Sequence, residues 1–112
     1  MVRMAPVALA GGTALGITVS LPRTTLIVVT TDVGYVMCGA LDVRLLDERL
    51  AARGIVAARV LGVRSVEDLL AAPVDDRTRD AAALGIERGM PGREALERML
   101  AAPVESARTP PS

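Results

Sequence analysis

The residues from Tyr35 to Ala72 alternate between strand-like and helix-like patterns, and this alternation constrains the fold more than any other feature. Its four predicted elements are a strand at Tyr35–Cys38, a helix at about Leu41–Arg53, a strand at Ile55–Leu61 and a helix at Ser65–Ala72. The connection from Gly39 to Gly54 is long enough for a parallel crossover. The pattern therefore predicts a βαβ-like unit.

The residues before this unit predict an antiparallel β-meander. Val7–Ala10 and Thr13–Leu21 flank Gly11-Gly12, a pair suited to a tight hairpin. Thr24–Thr31 is a continuous apolar run that predicts a strand covered on both faces. The uncharged stretch Met4–Pro22 alternates with strand periodicity, so we interpret it as sheet and not as a signal peptide or a membrane span.

The residues after the βαβ-like unit predict short helices. Ser65 with Asp68 resembles an N-terminal capping box, and Asp75 or Asp76 is expected to cap an alanine-rich helix. A last helix is expected at about Pro91–Ala101. We predict a single α+β domain over residues 1–102, with a β-rich region at 1–38, followed by a disordered tail at 103–112.

The composition excludes several classes of chemistry. The chain has 13 basic and 13 acidic residues and no histidine, so we expect no nucleic acid or membrane partner and no histidine-dependent catalysis. One cysteine cannot form an intrachain disulfide or a thiolate zinc site, so we expect no metal and a reducing, cytoplasmic setting. No GxGxxG or Walker pattern is present, and we expect no cofactor. Because Tyr35 is the only aromatic residue, the core is thin and a homo-oligomer is expected.

Two short segments are the candidate site. If the predicted strands are parallel neighbours, Cys38-Gly39 and the Gly62–Ser65 segment meet at the carboxyl-end rim of the sheet. A thiol, the Arg64 guanidinium and two helix N-termini would then converge there, which suits phosphate or carboxylate. The predicted ligand-binding residues are Gly39, Gly62, Arg64 and Ser65, and Cys38 is the candidate catalytic residue.

Each of these residues also has a purely structural interpretation. Cys38 can be a buried, inert core thiol. Arg64 can pair with an acidic residue, and Ser65 can be a helix cap. Gly39 and Gly62 can be backbone turns. The sequence alone leaves these alternatives open.

Three stretches of the chain resemble the YunC-like family, small bacterial and archaeal proteins whose domain has no assigned function. They read GYVMCGALDV (Gly34–Val43), RGIVAARVLGVRSVEDLLAAP (Arg53–Pro73) and GIERGMPGREAL (Gly85–Leu96). The resemblance implies an α+β domain whose N-terminal β-region forms a homotetramer. The resemblance identifies no catalytic or ligand-binding residues in this chain.

Three functions fit these observations. The first is a homo-oligomeric domain that binds a small anionic ligand or a protein partner at the rim formed by Cys38-Gly39 and Gly62–Ser65. The second is a thiol-dependent enzyme that uses Cys38 as its nucleophile. The third is a purely structural assembly subunit.

Overall fold

The protein is described from a computed structural model, which covers residues 1–39 and 54–102. The predicted helix at 41–53 and the predicted disordered tail at 103–112 lie outside the described residues. The six strands are β1 (Val2–Leu9), β2 (Gly12–Leu21), β3 (Thr24–Thr30), β4 (Gly34–Met37), β5 (Val56–Val60) and β6 (Val74–Arg77). The three described helices are α1 (Val66–Ala71), α2 (Arg79–Ala83) and α3 (Gly92–Ala101).

The strands form one mixed sheet whose spatial order follows the chain order from β1 to β6. Strands β1 to β4 pair antiparallel, so the predicted N-terminal meander is confirmed. The β1–β2 hairpin turns at Gly11, whose φ of 91° favours glycine. Strand β1 begins at Val2, earlier than the sequence predicts, because its pairing with β2 continues to Val2 opposite Val19.

Strands β4 and β5 pair parallel, as the predicted βαβ-like unit requires. Gly34 lies opposite Val56 at the start of this pair, and a Cβ atom built on Gly34 would lie 2.7 Å from the Cβ atom of Val56. That separation is too short for a real side chain. The two strands can therefore approach each other only because residue 34 has no side chain.

The three described helices lie on one face of the sheet, which we call the core face. Ile27, Val29 and Val36 on this face are fully buried, together with Leu96 and Met99 of α3. Aliphatic residues supply this core, as expected for a chain with one aromatic residue. The α+β class is confirmed.

The opposite face of the meander is apolar and partly exposed, and we call it the outer face. Strand pairing places these side chains on it: Val2, Met4, Leu15, Ile17, Val19, Leu21, Leu26 and Val28. Met4 is 63% exposed and Leu15 is 38% exposed. The strictly alternating strand β2 thus has apolar residues on its more exposed side, which is the reverse of what a monomeric sheet usually shows.

The predicted cap at Asp75 or Asp76 is wrong, because both residues lie in strand β6. The helix that follows is α2, and its N-cap is Thr78, whose hydroxyl accepts a hydrogen bond from Ala81 N–H. Thr78 is 1% exposed, and its hydroxyl also donates to Ile55 O at 2.7 Å and accepts from Ala57 N–H at 3.2 Å. One buried side chain therefore joins the start of β5 to α2.

Candidate functional site

Cys38 follows strand β4 and is buried on the core face. Its backbone N–H donates to Ile27 O at 3.0 Å, and its sulfur accepts a hydrogen bond from Ile27 N–H at 3.5 Å. This is the environment of a cysteine that serves as a small core residue. Its role as a nucleophile stays a prediction.

Gly39 and Gly62 lie beyond the carboxyl ends of β4 and β5. A Cβ atom built on Gly39 would lie 3.1 Å from Leu61 Cδ2, so the two strand ends are close, as the rim hypothesis requires. Gly62 has a φ of 71° and open space around its Cα atom. It forms a left-handed turn that directs the chain away from β5, across the core face and toward β2.

That turn separates Arg64 and Ser65 from Cys38. Ser65 caps α1, because its hydroxyl accepts a hydrogen bond from Asp68 N–H at 3.1 Å. The Asp68 carboxylate accepts from Arg64 N–H at 3.1 Å, a variant of the capping box that the sequence predicts. The helix begins beside strand β2, where Val66 Cγ2 would lie 3.1 Å from a Cβ atom built on Gly16.

Arg64 and Ser65 line a groove of about 350 Å³ between the β1–β2 hairpin and the start of α1. We call it the arginine groove. Its polar side chains are Arg3 and Thr18 on the sheet side and Arg64, Ser65 and Glu67 on the other. Cys38 is not among its lining residues. Thr18 pairs with Ile27, and Ile27 bonds to Cys38, so Thr18 lies two strands from Cys38, which is roughly 10 Å.

Neither arginine in the groove has a partner for its side chain among the residues that the structure describes. Within residues 1–39 and 54–102, the guanidinium groups of Arg3 and Arg64 make no hydrogen bond or ion pair, and both residues are exposed. With Glu67 as the one acidic group in the lining, the groove keeps an excess of positive charge. Unpaired guanidinium groups that face one cavity suit a carboxylate or a phosphate.

Sequence reasoning missed Arg3 and Thr18 as members of this site. They belong to β1 and β2, far from Arg64 in the chain, and only the pairing of Arg3 with Thr18 places them together. The sequence pattern that could have identified Thr18 was the strand alternation of β2, because this alternation places Thr18 on the same face of the sheet as Gly16. The first strand was predicted to begin at Val7, and this left Arg3 outside the sheet.

A second groove of about 480 Å³ lies near the opposite end of the meander. It is lined by Thr30, Thr31, Asp32 and the end of α3 at Leu100 and Ala102, among others. Thr31 uses its hydroxyl within its own turn, where it accepts from Gly34 N–H at 3.1 Å and donates to Gly34 O at 2.9 Å. The groove is larger than the arginine groove, but among its described lining residues only Asp32 is charged.

Asp75 and Asp76 of β6 accept hydrogen bonds from arginine residues. Arg59 donates through Nε and Nη2 to Asp75 Oδ2, at 3.0 and 2.6 Å. Asp76 Oδ1 accepts from Arg77 N–H at 2.9 Å and from Arg88 Nη2 at 3.0 Å. Partial burial would raise the pKa of Asp76, but these hydrogen bonds and the charges of Arg88 and Arg59 outweigh it and lower that pKa.

The described residues offer no other site of recognisable type. Residues 1–39 and 54–102 contain no group of three or more cysteine or carboxylate side chains placed to hold a metal ion. None of the helices in this part of the chain is long and apolar enough to cross a membrane.

The fold and the groove together define a small α+β protein with a β-meander, one parallel strand pair and a basic groove on the helix-covered side of the sheet. The chain belongs to the family described as Domain of unknown function (DUF1805), whose model matches residues 37–99. The predicted membership of a YunC-like family is confirmed.

Two relatives support this assignment. The chain is 50% identical over 100 residues to the uncharacterized protein YunC of Bacillus subtilis, covering 89% of this chain and 99% of that protein. It also resembles the crystal structure of a protein of unknown function, TA1206 from Thermoplasma acidophilum, with a TM-score of 0.79 and 25% identity. That match covers 88% of this chain and 93% of the other.

Proposed function

We propose that this protein is a cytoplasmic, self-associating binding domain whose arginine groove takes a small anion or an acidic group of a protein partner. The observation that carries the proposal is that Arg3 and Arg64 line one groove and that their guanidinium groups have no intramolecular partners among the described residues. A guanidinium group that is removed from water stabilises a fold only when an acceptor pairs with it. Arg3 and Arg64 are exposed, so their guanidinium groups are available to an anionic ligand. The hydroxyl groups of Thr18 and Ser65 add two donors at the same groove.

The groove is formed by parts of the fold that are fixed independently of a ligand. Strand pairing places Arg3 beside Thr18, and the cap at Ser65 fixes the backbone that carries Arg64. Gly16 allows α1 to lie against the hairpin, since a Cβ atom there would lie 3.1 Å from Val66 and 3.2 Å from Val7. The backbone that carries both arginines is therefore fixed before an anion binds, so binding has to order only their side chains.

Alanine at Arg64 or at Arg3 is expected to weaken anion binding about tenfold or more, because each change removes one charge-assisted contact of roughly 1.5–3 kcal/mol. The probe is inorganic phosphate, which is titrated into isotope-labelled protein at constant ionic strength. The measurement is the change in the NMR chemical shifts of the backbone amides of Thr18, Ser65 and Val66. Arg93→Ala is the matched control, because Arg93 is exposed on α3 and does not line the groove. Equal binding by the Arg64 and Arg93 variants would contradict the proposal, and so would the absence of saturable shifts in the wild-type protein.

Self-association is proposed to use the outer face of the meander. Its exposed apolar side chains, such as Val2, Met4 and Leu15, leave apolar surface in water that a second copy can cover. The same arrangement suits a homotetramer, as the family resemblance implies. The one cysteine, which cannot form an intrachain disulfide, supports a reducing, cytoplasmic setting.

Leu15→Glu is expected to convert the assembly to smaller species, because it places a charge within the apolar contact that the outer face would form. The control is Leu61→Glu, which changes a leucine that is 54% exposed but directly follows β5, a strand that lies three positions from β2 in the sheet. Molar mass from light scattering coupled to gel filtration is the measurement. If Leu15→Glu keeps the wild-type mass, or if the wild-type protein is a monomer, the outer face is not the interface. A stable assembly that binds no phosphate would indicate the purely structural function.

A further inference from the structure

The outer edge of strand β1 has free backbone groups on an exposed strand. Strand β1 is the last strand on its side of the sheet, and among the described residues no strand pairs with its outer edge. Residues Val2 to Pro6 are exposed, so no other segment within residues 1–39 and 54–102 covers that edge. An uncovered edge of this kind is a template for another extended chain.

The direction of each backbone group follows from the hairpin register. Met1 and Ser20 exchange two hydrogen bonds, from Ser20 N–H to Met1 O at 2.8 Å and from the Met1 amino group to Ser20 O at 3.1 Å. Bonded and non-bonded pairs alternate in an antiparallel ladder, so Arg3 and Ala5 bond to β2 as well. Val2, Met4 and Ala8 then direct their N–H and C=O groups outward. Pro6 also belongs to the residues whose backbone groups point away from β2. It has no N–H, and an edge strand tolerates proline at such a position.

The side chains along this edge differ between the two faces of the sheet. Arg3 lies on the core face and opens into the arginine groove, which Ala5 and Pro6 also line, so the groove extends to the edge. Val2 and Met4 lie on the outer face. An added strand would place alternate side chains beside the guanidinium groups and beside the apolar residues.

We propose that the partner of this protein is an extended peptide segment that adds to the β1 edge as a seventh strand, with acidic side chains toward Arg3 and Arg64 and apolar side chains toward Val2 and Met4. Charge complementarity favours this occupant, because the groove at the edge has two arginines against one glutamate among its described lining residues. In the symmetric pairing of two β1 edges that centres on Arg3, two copies of the chain would bring two Arg3 side chains together, whereas an acidic strand pairs with them. This inference rests on the proposed anion groove, and it names the partner that the groove recognises.

The experiment uses a capped seven-residue peptide that alternates valine and glutamate. Wild-type protein is expected to bind it saturably, with slower amide exchange at Val2, Met4 and Ala8. Met4→Pro removes one outward N–H without removing a β1–β2 bond, and we expect at least a tenfold loss of peptide affinity. Met4→Val keeps the N–H and is the matched control. A peptide that is N-methylated at its bonding amides is expected to bind at least tenfold more weakly, and this test needs no variant to fold.

Phosphate binding separates the two proposals. Met4→Pro keeps Arg3 and Arg64, so its phosphate affinity should equal that of wild type. If phosphate binds but the valine–glutamate peptide does not, or binds equally after N-methylation, strand addition is overturned and the groove proposal stands. If Met4 N–H is already protected without peptide and Met4→Pro lowers the molar mass, a second copy occupies the edge, and the inference is wrong.

Discussion

Gly34→Ala is expected to lower the free energy of unfolding by about 3 kcal/mol, because the added methyl group overpacks the start of the parallel strand pair. A Cβ atom on Gly34 would overlap the carbonyl oxygen of Val56 and would lie 2.8 Å from Val56 Cγ1. Neither group can move away easily, since one is backbone and the other belongs to a buried β-branched residue. Strand β4 would have to separate from β5. Urea unfolding followed by circular dichroism, at one fixed protomer concentration, measures the loss.

Gly62→Ala is the control for that substitution. Nothing lies within 4 Å of a Cβ atom on Gly62, but its φ of 71° is unfavourable for alanine. We expect a loss of about 1 kcal/mol from backbone strain alone. If the Gly34 and Gly62 variants unfold at the same urea concentration, the close approach of β4 and β5 is not the reason that residue 34 must be glycine.

Thr78→Val is expected to cost about 3 kcal/mol, although valine has nearly the same shape as threonine. The change removes the hydroxyl that bonds to Ile55 O, Ala57 N–H and Ala81 N–H. Those three backbone groups would lose their side-chain partner at a site where residue 78 is 1% exposed. The free energy of unfolding from urea titration is again the measurement.

Thr78→Ser keeps the hydroxyl and removes only a methyl group, so it should cost about 1 kcal/mol. Its stability should therefore lie clearly above that of Thr78→Val. An equal loss in the two variants would mean that packing of the methyl group, and not the three hydrogen bonds, makes Thr78 important.

The meander and the parallel pair could be predicted because their sequence patterns are local. Strict alternation from Leu15 to Leu21 specifies a strand with two different faces, and glycines mark the turn before it. The parallel arrangement of β4 and β5 could be predicted because the connection between them is long enough for a crossover. Ser65 was predicted as a cap because the spacing to Asp68 is itself a local pattern.

Strand β6 could not be predicted, because its sequence disfavours a strand. Val74–Arg77 contains two adjacent aspartates, a residue type depleted in sheets and favoured at helix starts. It forms a strand because β5 offers a pairing edge and because Arg59 and Arg88 pair with the two carboxylates. These are tertiary contacts that no short window of sequence contains.

The positions of some candidate site residues could be predicted, while their roles in binding or catalysis stay predictions. Placement of Arg64 and Ser65 after β5 was correct, as was the approach of Gly39 to the end of β5. The rim hypothesis placed Cys38 beside Arg64 because it assumed that the chain stays at the strand ends. The left-handed turn at Gly62 instead directs the chain toward β2, where Arg3 replaces the thiol as the neighbour of Arg64.

The order of the strands along the sheet has a consequence for how the chain acquires its structure during synthesis. Strands β1, β2 and β3 are joined by tight turns, so they can pair as soon as the first 30 residues have emerged. The helices that cover the core face, α1 and α3, begin only at Val66 and Gly92. A nascent meander therefore presents apolar residues on both of its faces until most of the chain is made. During that interval the growing chain is most vulnerable to aggregation, so a chaperone would protect it most effectively until α3, which ends at Ala101, has been made.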